Sequence, residues 1–313
     1  MTAAGRVLEW VVAPADARVR LDRFLAERGE LGTRSQVRRL IEMELVRVEG
    51  RAAKAGTLLR AGQTIRVEPP PPPSLDVHAE AIALDVLFED DWLLVIDKPP
   101  GLVVHPAPGH WQGTLVNALL HRWKEAGLPP DLSRLGIVHR LDKDTSGVLV
   151  IAKDSATLEA VARQFRRREI DKEYVALVHG SPRTAEGVIE KPIGRHPVHR
   201  KRMAVRERGR EAVTRWRVEE RLGGVSLLRL FPETGRTHQL RVHLAAIGHP
   251  IVADATYGRG RAGLTTDLAR QALHAAAICF RHPASGETLV VRAPLPADLS
   301  AALQALRHGL GRA

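Results

Sequence analysis

With 313 residues, the chain is long enough to bury a sizeable hydrophobic core, and a chain of this length favours two domains over one. Lys and Arg number 47 against 36 Asp and Glu, so the formal net charge of +11 favours a polyanionic partner, nucleic acid before an anionic membrane. The sequence has no run of about 18 apolar residues and no signal-peptide pattern over residues 1–10, so we expect a cytoplasmic protein with no membrane partner.

The first predicted module is small and mixed in structure. Apolar spacing predicts one helix near residues 21–25 and a second helix after Thr33, which is the expected N-cap. Residues 46–48 and 64–67 alternate as short strands. Two short helices and a small sheet predict a compact αL-type unit over residues 17–68.

Basic residues of this module cluster on its second helix. Arg34, Arg38 and Arg39 lie opposite the apolar stripe of that helix. A solvated helix face is one interpretation, and contact with RNA phosphates, which give affinity rather than sequence choice, is the one we favour. The pattern Arg-Ser-Gln-x-x-Arg-Arg-Leu-Ile, with the later Val-Arg-Val-Glu-Gly-Arg, resembles the S4 RNA-binding domain. This resemblance implies that residues 17–68 form an RNA-binding S4 domain.

A proline run separates this module from the rest of the chain. Residues 69–73 are five consecutive prolines, which cannot join a helix or a central strand and behave as a stiff extended spacer. We therefore expect a linker over residues 69–81 and a second domain over residues 82–313.

The second domain alternates predicted strands, hairpins and helices, which favours the α+β class with a mixed, largely antiparallel central sheet flanked by helices. The predicted strands cover residues 84–88, 92–96, 148–153, about 172–178, 212–219 and 225–231. The predicted helices cover residues 114–122, a segment capped by Ser155, and 237–248.

A short polar segment lies between two apolar runs in the middle of the chain. Residues 139–147 read His-Arg-Leu-Asp-Lys-Asp-Thr-Ser-Gly, which places a carboxylate and a guanidinium on a loop at the rim of a sheet. Catalytic groups are often held in this way, although an Arg/Asp surface turn is an equal alternative on the residues alone. The segment resembles the signature loop of the RluA-type pseudouridine synthases.

That resemblance implies isomerisation of uridine within RNA, which needs no metal and no other cofactor. It implies that Asp142 is the essential catalytic residue, either as a nucleophile or as the base that abstracts a sugar proton. It further implies that Arg140 fills the space vacated by the flipped base. Tyr174 would by itself be interpreted as a core residue, but Lys-x-Tyr resembles the second motif of the family, in which the ring stacks on the uracil and the hydroxyl serves in proton transfer at C5.

Residues 233–243, Glu-Thr-Gly-Arg-Thr-His-Gln-Leu-Arg-Val-His, resemble the third motif of the family. The resemblance implies that Arg241 is the ion-pair partner of the catalytic Asp and that Leu240 lies beneath the base. The five-residue spacing of the two histidines, without a nearby cysteine or acidic ligand, argues against a metal site. From the first and third motifs we also expect substrate contacts by His139, Arg236 and Gln239.

Three other segments complete the pattern. Residues 98–106 and 254–258 also resemble the family, with Ala253 standing where glycine is usual. Residues 195–210 carry seven Lys and Arg side chains and one acidic residue. This segment is either a solvated loop or, as we expect, a loop that grips an RNA stem through Arg200, Lys201 and Arg202.

These features predict a monomeric RNA pseudouridine synthase with an N-terminal S4 domain. The S4 domain and the loops most resemble the branch of the family that modifies the helix 69 stem-loop of 23S rRNA, so the large ribosomal subunit or its precursor is the expected partner. A sister enzyme for other 23S rRNA or tRNA uridines is the first alternative. A non-catalytic RNA-binding factor in ribosome assembly is the second.

Overall fold

The computed structural model of the chain describes residues 7–28, 30–31, 34–69, 78–106, 110–127, 133–199, 202–258 and 268–310. The chain divides into two compact units, Met1–Asp76 and Val77–Ala313. Most of the predicted linker, including residues 70–73, lies outside the described residues.

The N-terminal unit contains two helices and one antiparallel sheet. Its elements are β1 (Leu8–Val11), α1 (Leu21–Glu27), α2 (Arg34–Glu42), β2 (Val46–Val48), β3 (Arg51–Ala52) and β4 (Thr64–Val67). The sheet order is β1-β4-β2-β3. Phe24 and Leu25 of α1 pack against Val37 and Ile41 of α2 over this sheet. The predicted helices and central strands are confirmed, whereas the edge strands β1 and β3 are additional.

The C-terminal unit is an α+β domain, as predicted. Its first elements are β5 (Asp85–Glu89), β6 (Leu93–Lys98), α3 (Leu115–Glu125), β7 (Ser146–Ala152), α4 (Ser155–Arg167), β8 (Asp171–His179), β9 (Glu186–Glu190), β10 (Ile193–Arg195) and β11 (Met203–Val205). The remaining elements are β12 (Val213–Leu222), β13 (Val225–Pro232), α5 (Gln239–Ala246), β14 (Leu273–Arg281), β15 (Thr288–Arg292) and α6 (Ala297–Leu310).

One large mixed sheet organises this domain. Its strand order is β5-β6-β7-β14-β8-β13-β12-β9, with β15 also paired to β14. The pair of β7 and β14 is parallel, and the other pairs of this sheet are antiparallel. The predicted mixed, largely antiparallel sheet is therefore confirmed. One prediction at a helix start was wrong, because Asp154 rather than Ser155 is the N-cap of α4 and accepts a hydrogen bond from Thr157 N at 2.8 Å.

Helices cover both faces of the sheet. In β6, Leu94 and Ile96 pack in a cluster with Leu119 of α3, and the alternate residues Leu93 and Val95 pack in a cluster with α4. Successive strand side chains point to opposite faces, so a strand covered on both faces reads as a continuous apolar run. This is why residues 93–96 are uniformly apolar.

Gly147 lies where the signature loop enters β7. It is opposite Ala275 in the parallel pair of β7 and β14, and its φ of 112° is outside the range that other residues readily adopt. A β-carbon at this position would come within 2.1 Å of the carbonyl oxygen of Ala275. The glycine of the signature loop is therefore required for the close approach of the two central strands.

We expect Gly147→Ala to destabilise the C-terminal unit by about 3 kcal/mol or more, because the new methyl group overlaps backbone that cannot move without breaking the sheet. Gly224→Ala is the matched control, since its φ is 89° and no atom lies within 4 Å of its added β-carbon. The control isolates the cost of the left-handed backbone, about 1–2 kcal/mol. Denaturant unfolding of the full-length variants measures both values, and equal losses would show that crowding at Gly147 is unimportant.

Candidate active site

A cleft lies where the signature loop meets the start of α5. Its lining includes the loop, one residue of β8, the end of β13, the first turn of α5 and the start of β14. The polar and aromatic residues that line it are Arg140, Asp142, Thr145, Tyr174, Thr234, Arg236, Thr237, His238, Gln239 and Arg241. Most residues predicted from the three motifs are thus brought together from segments far apart in the sequence.

The centre of the cleft is a guanidinium shared by two carboxylates. Arg241 Nη1 donates a hydrogen bond of 3.0 Å to Asp142 Oδ2. Arg241 Nε and Nη2 donate to both oxygens of Asp254, at 2.7 Å and 2.9 Å. The two-pronged pair of Arg241 is therefore with Asp254, and Asp142 receives one hydrogen bond from the outer edge of the guanidinium.

The three side chains of this arrangement differ in burial, and Asp142 is the most exposed. The side chain of Asp254 is 0% exposed, that of Arg241 7% and that of Asp142 19%. Burial favours the neutral form of Asp254, but the contacts with Arg241 outweigh it and lower the pKa of this carboxyl group. Burial likewise opposes the charge of Arg241, and the contacts with Asp254 and Asp142 raise its pKa. Arg241 therefore stays charged beside the more exposed carboxylate of Asp142.

Asp254 is a site residue whose role the sequence analysis did not identify. Besides the two bonds from Arg241, its carboxylate accepts the backbone N–H groups of Thr256 and Tyr257 at 2.9 Å and 3.0 Å. The resemblance of residues 254–258 to the family was the available signal, but it did not reveal the partner. The preceding Ala253 adopts a left-handed conformation with φ of 57°, the geometry for which glycine is favoured.

Tyr174 projects from the middle of the sheet toward this centre. It lies on β8 opposite Leu230 of β13 and Ala275 of β14, and it is half-buried. Burial and, secondarily, the charge of Asp142 raise the pKa of its hydroxyl. Tyr174 is therefore a neutral phenol with one hydrogen-bond donor near Asp142.

Buried polar groups anchor the loop that carries Asp142. Lys98, which is fully buried, donates from Nζ to the carbonyl oxygens of Pro99, Leu102 and Lys143. Burial lowers the pKa of Lys98 to about 8. Arg270 Nη1 donates to the next carbonyl oxygen of the loop, Asp144 O, at 3.0 Å. These two cations fix the backbone that directly follows Asp142.

The predicted substrate-contact residues have different placements. Arg140 is exposed at the cleft, Leu240 is buried in its lining, and Arg236 is half-buried with Nε donating to Glu211 O at 2.9 Å. Gln239 also lies in the lining, but its amide nitrogen donates to Val213 O and Thr214 Oγ1, which ties α5 to β12.

His139 is not brought to the cleft, which corrects the expectation that it contacts the substrate. Its Nε2 accepts a hydrogen bond of 3.0 Å from Val150 N, and its ring packs at 5.0 Å on Phe165. Burial, with a smaller effect from Lys172, lowers its pKa to about 3. The neutral imidazole therefore anchors the signature loop to β7 and α4.

The predicted RNA-contact arginines of α2 are organised by a carboxylate. Asp22, which is fully buried, accepts hydrogen bonds from Arg20, Arg34 and Arg38 at 2.9–3.4 Å. Burial opposes its ionisation, but the hydrogen bonds from the three guanidinium groups lower its pKa to about 2. The side chains of Arg34 and Arg38 remain half-exposed, and Arg39 is exposed.

The basic loop of residues 195–210 is described only in part. Arg200 and Lys201 lie outside the described residues. Arg202 places its guanidinium 5.2 Å from the centre of the Tyr257 ring, which Arg241 also approaches at 5.1 Å. Arg202 is thus adjacent to the side chains that surround Asp254.

The described residues contain neither a metal-binding cluster nor a membrane-spanning helix. No group of three or more His, Cys, Asp and Glu side chains is arranged to hold a metal ion there. No helix in that part of the chain is long and apolar enough to cross a membrane.

Comparison with known proteins identifies the class of protein. Residues 92–246 match the family described as RNA pseudouridylate synthase, and residues 19–65 match the S4 domain. The chain is 46% identical to ribosomal large subunit pseudouridine synthase D of Nitrosomonas europaea, over 96% of this chain and 88% of that protein. It is 48% identical to an RNA pseudouridine synthase of Chloroflexus aurantiacus, over 95% and 93% of the two chains.

A solved structure agrees with these matches. Human RNA pseudouridylate synthase domain containing 4 superimposes with a TM-score of 0.59 at 30% identity, covering 71% of this chain and 93% of that one. The chain therefore belongs to the RNA pseudouridine synthase family and is a pseudouridine synthase with an S4 domain.

We expect Arg241→Lys to lower activity by at least 100-fold, because one ammonium group cannot pair with both oxygens of Asp254 and also contact Asp142. Breaking such a buried pair typically costs about 3–5 kcal/mol. Arg229→Lys is the matched control, since Arg229 forms a two-pronged pair with Glu219 outside the cleft lining. Single-turnover rates of pseudouridine formation on unmodified substrate RNA test the contacts of Arg241 with Asp254 and Asp142. A near-normal rate for Arg241→Lys would contradict the shared-guanidinium arrangement.

Proposed function

We propose that Asp142 is the catalytic carboxylate of this pseudouridine synthase and that its substrate is 23S rRNA, at the helix 69 stem-loop. The observation that carries the proposal is the position of Asp142, whose Oδ2 is held by Arg241 in a cleft that also contains Tyr174. Within the described residues, Asp142 Oδ1 has no hydrogen bond of its own, so this oxygen is available to a substrate.

The reaction rearranges atoms without adding or removing any. The N1–C1′ bond of the target uridine breaks, the uracil turns over, and a C5–C1′ bond forms. The proton leaves C5, and N1 takes up a proton. The uridine must first leave its stack, which costs a few kcal/mol. An ionised Asp142 serves either as nucleophile at the sugar or as the base that removes a sugar proton, and the charge of Arg241 favours the ionised form in both cases.

Tyr174, which lines the same cleft, supports the same chemistry. Its ring provides an aromatic surface for the detached uracil, an interaction worth about 1–3 kcal/mol per base. Its raised pKa means that it meets the base as a neutral phenol. The hydroxyl can then donate a hydrogen bond to the uracil and exchange a proton near C5. Arg140, which is exposed and lines the cleft, would replace the flipped base in the RNA stack.

The choice of 23S rRNA is supported by similarity and by charge. The Nitrosomonas europaea relative is a ribosomal large subunit enzyme by name, and the chain spans nearly all of it. The S4 domain presents arginines from α2 beside Asp22, and the net charge of +11 suits a large polyanion. A stem-loop displays unpaired uridines next to a helical stem whose phosphates such arginines can contact.

We expect the purified protein to form pseudouridine in a 23S rRNA fragment that contains helix 69, and not in tRNA. Asp142→Asn, which keeps the size of the side chain and removes its charge, should form no detectable product while its RNA affinity changes little. Sequencing-based mapping of pseudouridine after incubation measures product formation by both proteins, and titration with the RNA measures their affinity. Turnover by Asp142→Asn would remove Asp142 from the centre of the mechanism, and modification of tRNA in place of helix 69 would move the substrate to a sister target.

Neutralising the arginines of α2 should weaken RNA binding mainly at low salt. Arg38→Gln with Arg39→Gln leaves Asp22 its contacts with Arg20 and Arg34, so the S4 domain should stay folded. Each lost duplex phosphate contact should reduce the slope of log affinity against log salt by about 0.9.

The control for this prediction removes the same charge elsewhere. Arg166→Gln with Arg307→Gln affects exposed arginines of α4 and α6 that are paired with Glu159 and Glu220. Titration of wild type and both double variants at several salt concentrations provides the comparison. A salt slope that is unchanged in the α2 variant would show that this helix does not touch the RNA.

A further inference from the structure

His238 has a backbone conformation that needs an explanation. It immediately precedes α5, and its φ of 55° and ψ of 22° lie in the left-handed region, which costs a residue with a β-carbon about 1–2 kcal/mol. Its side chain makes no capping hydrogen bond to the helix. The imidazole instead lines the cleft beside Asp142. A strained residue whose side chain is directed into a site is a candidate for a function in that site.

A tyrosine fixes which nitrogen of His238 carries the proton. Tyr257 Oη accepts a hydrogen bond of 2.9 Å from Met203 N and lies 2.8 Å from His238 Nδ1. Among the described residues, Nδ1 is the only acceptor within hydrogen-bond distance of Oη, so the hydroxyl proton is directed to Nδ1. Burial lowers the pKa of His238, against the opposing effect of Asp142, so the ring is neutral. The proton of a neutral ring with Nδ1 as acceptor is on Nε2.

The protonated nitrogen faces the catalytic carboxylate across a gap. His238 Nε2 and Asp142 Oδ1 are 4.0 Å apart, which is too long for a direct hydrogen bond. One oxygen atom can lie about 2.8 Å from both atoms. That oxygen must accept a hydrogen bond from Nε2–H and donate a hydrogen bond to the carboxylate. A hydroxyl group meets both requirements, whereas a carbonyl or phosphate oxygen meets only the first.

The 2′-hydroxyl of the target ribose is the substrate group with this chemistry. It is both donor and acceptor, and it is attached to the carbon next to C1′, where the glycosidic bond breaks. We propose that His238 and Asp142 Oδ1 together bind the 2′-hydroxyl of the target uridine, which makes His238 a specificity-determining residue for the ribose. The inference rests on the role proposed above for Asp142.

The test is a cycle of four single-turnover rates on a 23S rRNA fragment with a mapped target. Wild type and His238→Leu are each given the normal RNA and the same RNA with 2′-deoxyuridine at the target. If the hydroxyl contacts His238, the rate ratio between the two RNAs should be about tenfold larger for wild type than for His238→Leu, the value of one lost hydrogen bond. Intrinsic effects of the deoxy sugar on the glycosidic bond are common to both enzymes and cancel.

Two further variants keep the test decisive. His238→Gln retains an N–H donor and should keep part of the discrimination, and Tyr257→Phe removes the group that fixes the tautomer and should lose part of it. Either variant completes the cycle if His238→Leu does not fold. RNA with a deoxynucleotide next to the target is the substrate control and should give equal ratios for all enzymes.

Equal ratios for wild type and His238→Leu at the target itself would overturn the inference, since independent effects combine without coupling. Asp142→Asn is measured in parallel to separate this failure from that of the proposed function. If Asp142→Asn is inactive and the ratios are equal, only the role of His238 is wrong. If Asp142→Asn is active, the proposed catalytic role fails as well.

Discussion

The active site depends on one guanidinium that serves two carboxylates with different burial. Asp254 is fully buried and takes two of the three hydrogen bonds of Arg241, so it fixes the position and charge of the arginine. Asp142 takes the third through Oδ2, and its Oδ1 accepts no hydrogen bond from the described residues. A buried charge is tolerated only when it is paired, and the pair with Asp254 keeps Arg241 charged beside Asp142, a more exposed carboxylate that receives one hydrogen bond from it.

Other residues of the domain fix the position of the Asp142 loop relative to the guanidinium of Arg241. Lys98 and Arg270 donate hydrogen bonds to two consecutive loop carbonyls, and His139 accepts a hydrogen bond from the strand that follows the loop. Gly147 permits the parallel contact with β14, the strand that also pairs with the strand of Tyr174. The signature segment is therefore informative for two reasons. It carries Asp142, the carboxylate we propose to be catalytic, and it carries the residues that fix the backbone around Asp142.

The sequence predicted the fold class and most of the cleft because both follow from local patterns. Apolar periodicity located the main strands and helices, and the three motifs placed Asp142, Tyr174 and Arg241 in one family-like set. The second partner of Arg241, Asp254, was not predictable in this way. Asp254 is thirteen residues downstream of it, beyond the end of α5, and only the folded turn brings the two side chains together. The placement of His139 was missed for a related reason, since adjacency to Arg140 in sequence does not reveal which way a loop side chain points.

The S4 domain shows the same physical principle with a different outcome. Asp22 is a fully buried carboxylate that gathers three arginines, as Asp254 gathers one. In the C-terminal unit the anchored guanidinium is almost entirely buried and contacts a second carboxylate of the protein. In the N-terminal unit the guanidinium groups of Arg34 and Arg38 stay half-exposed, so part of each group faces solvent. Phosphate is the partner that suits donors held in this way, because ordering long side chains in advance reduces the entropy lost when RNA binds.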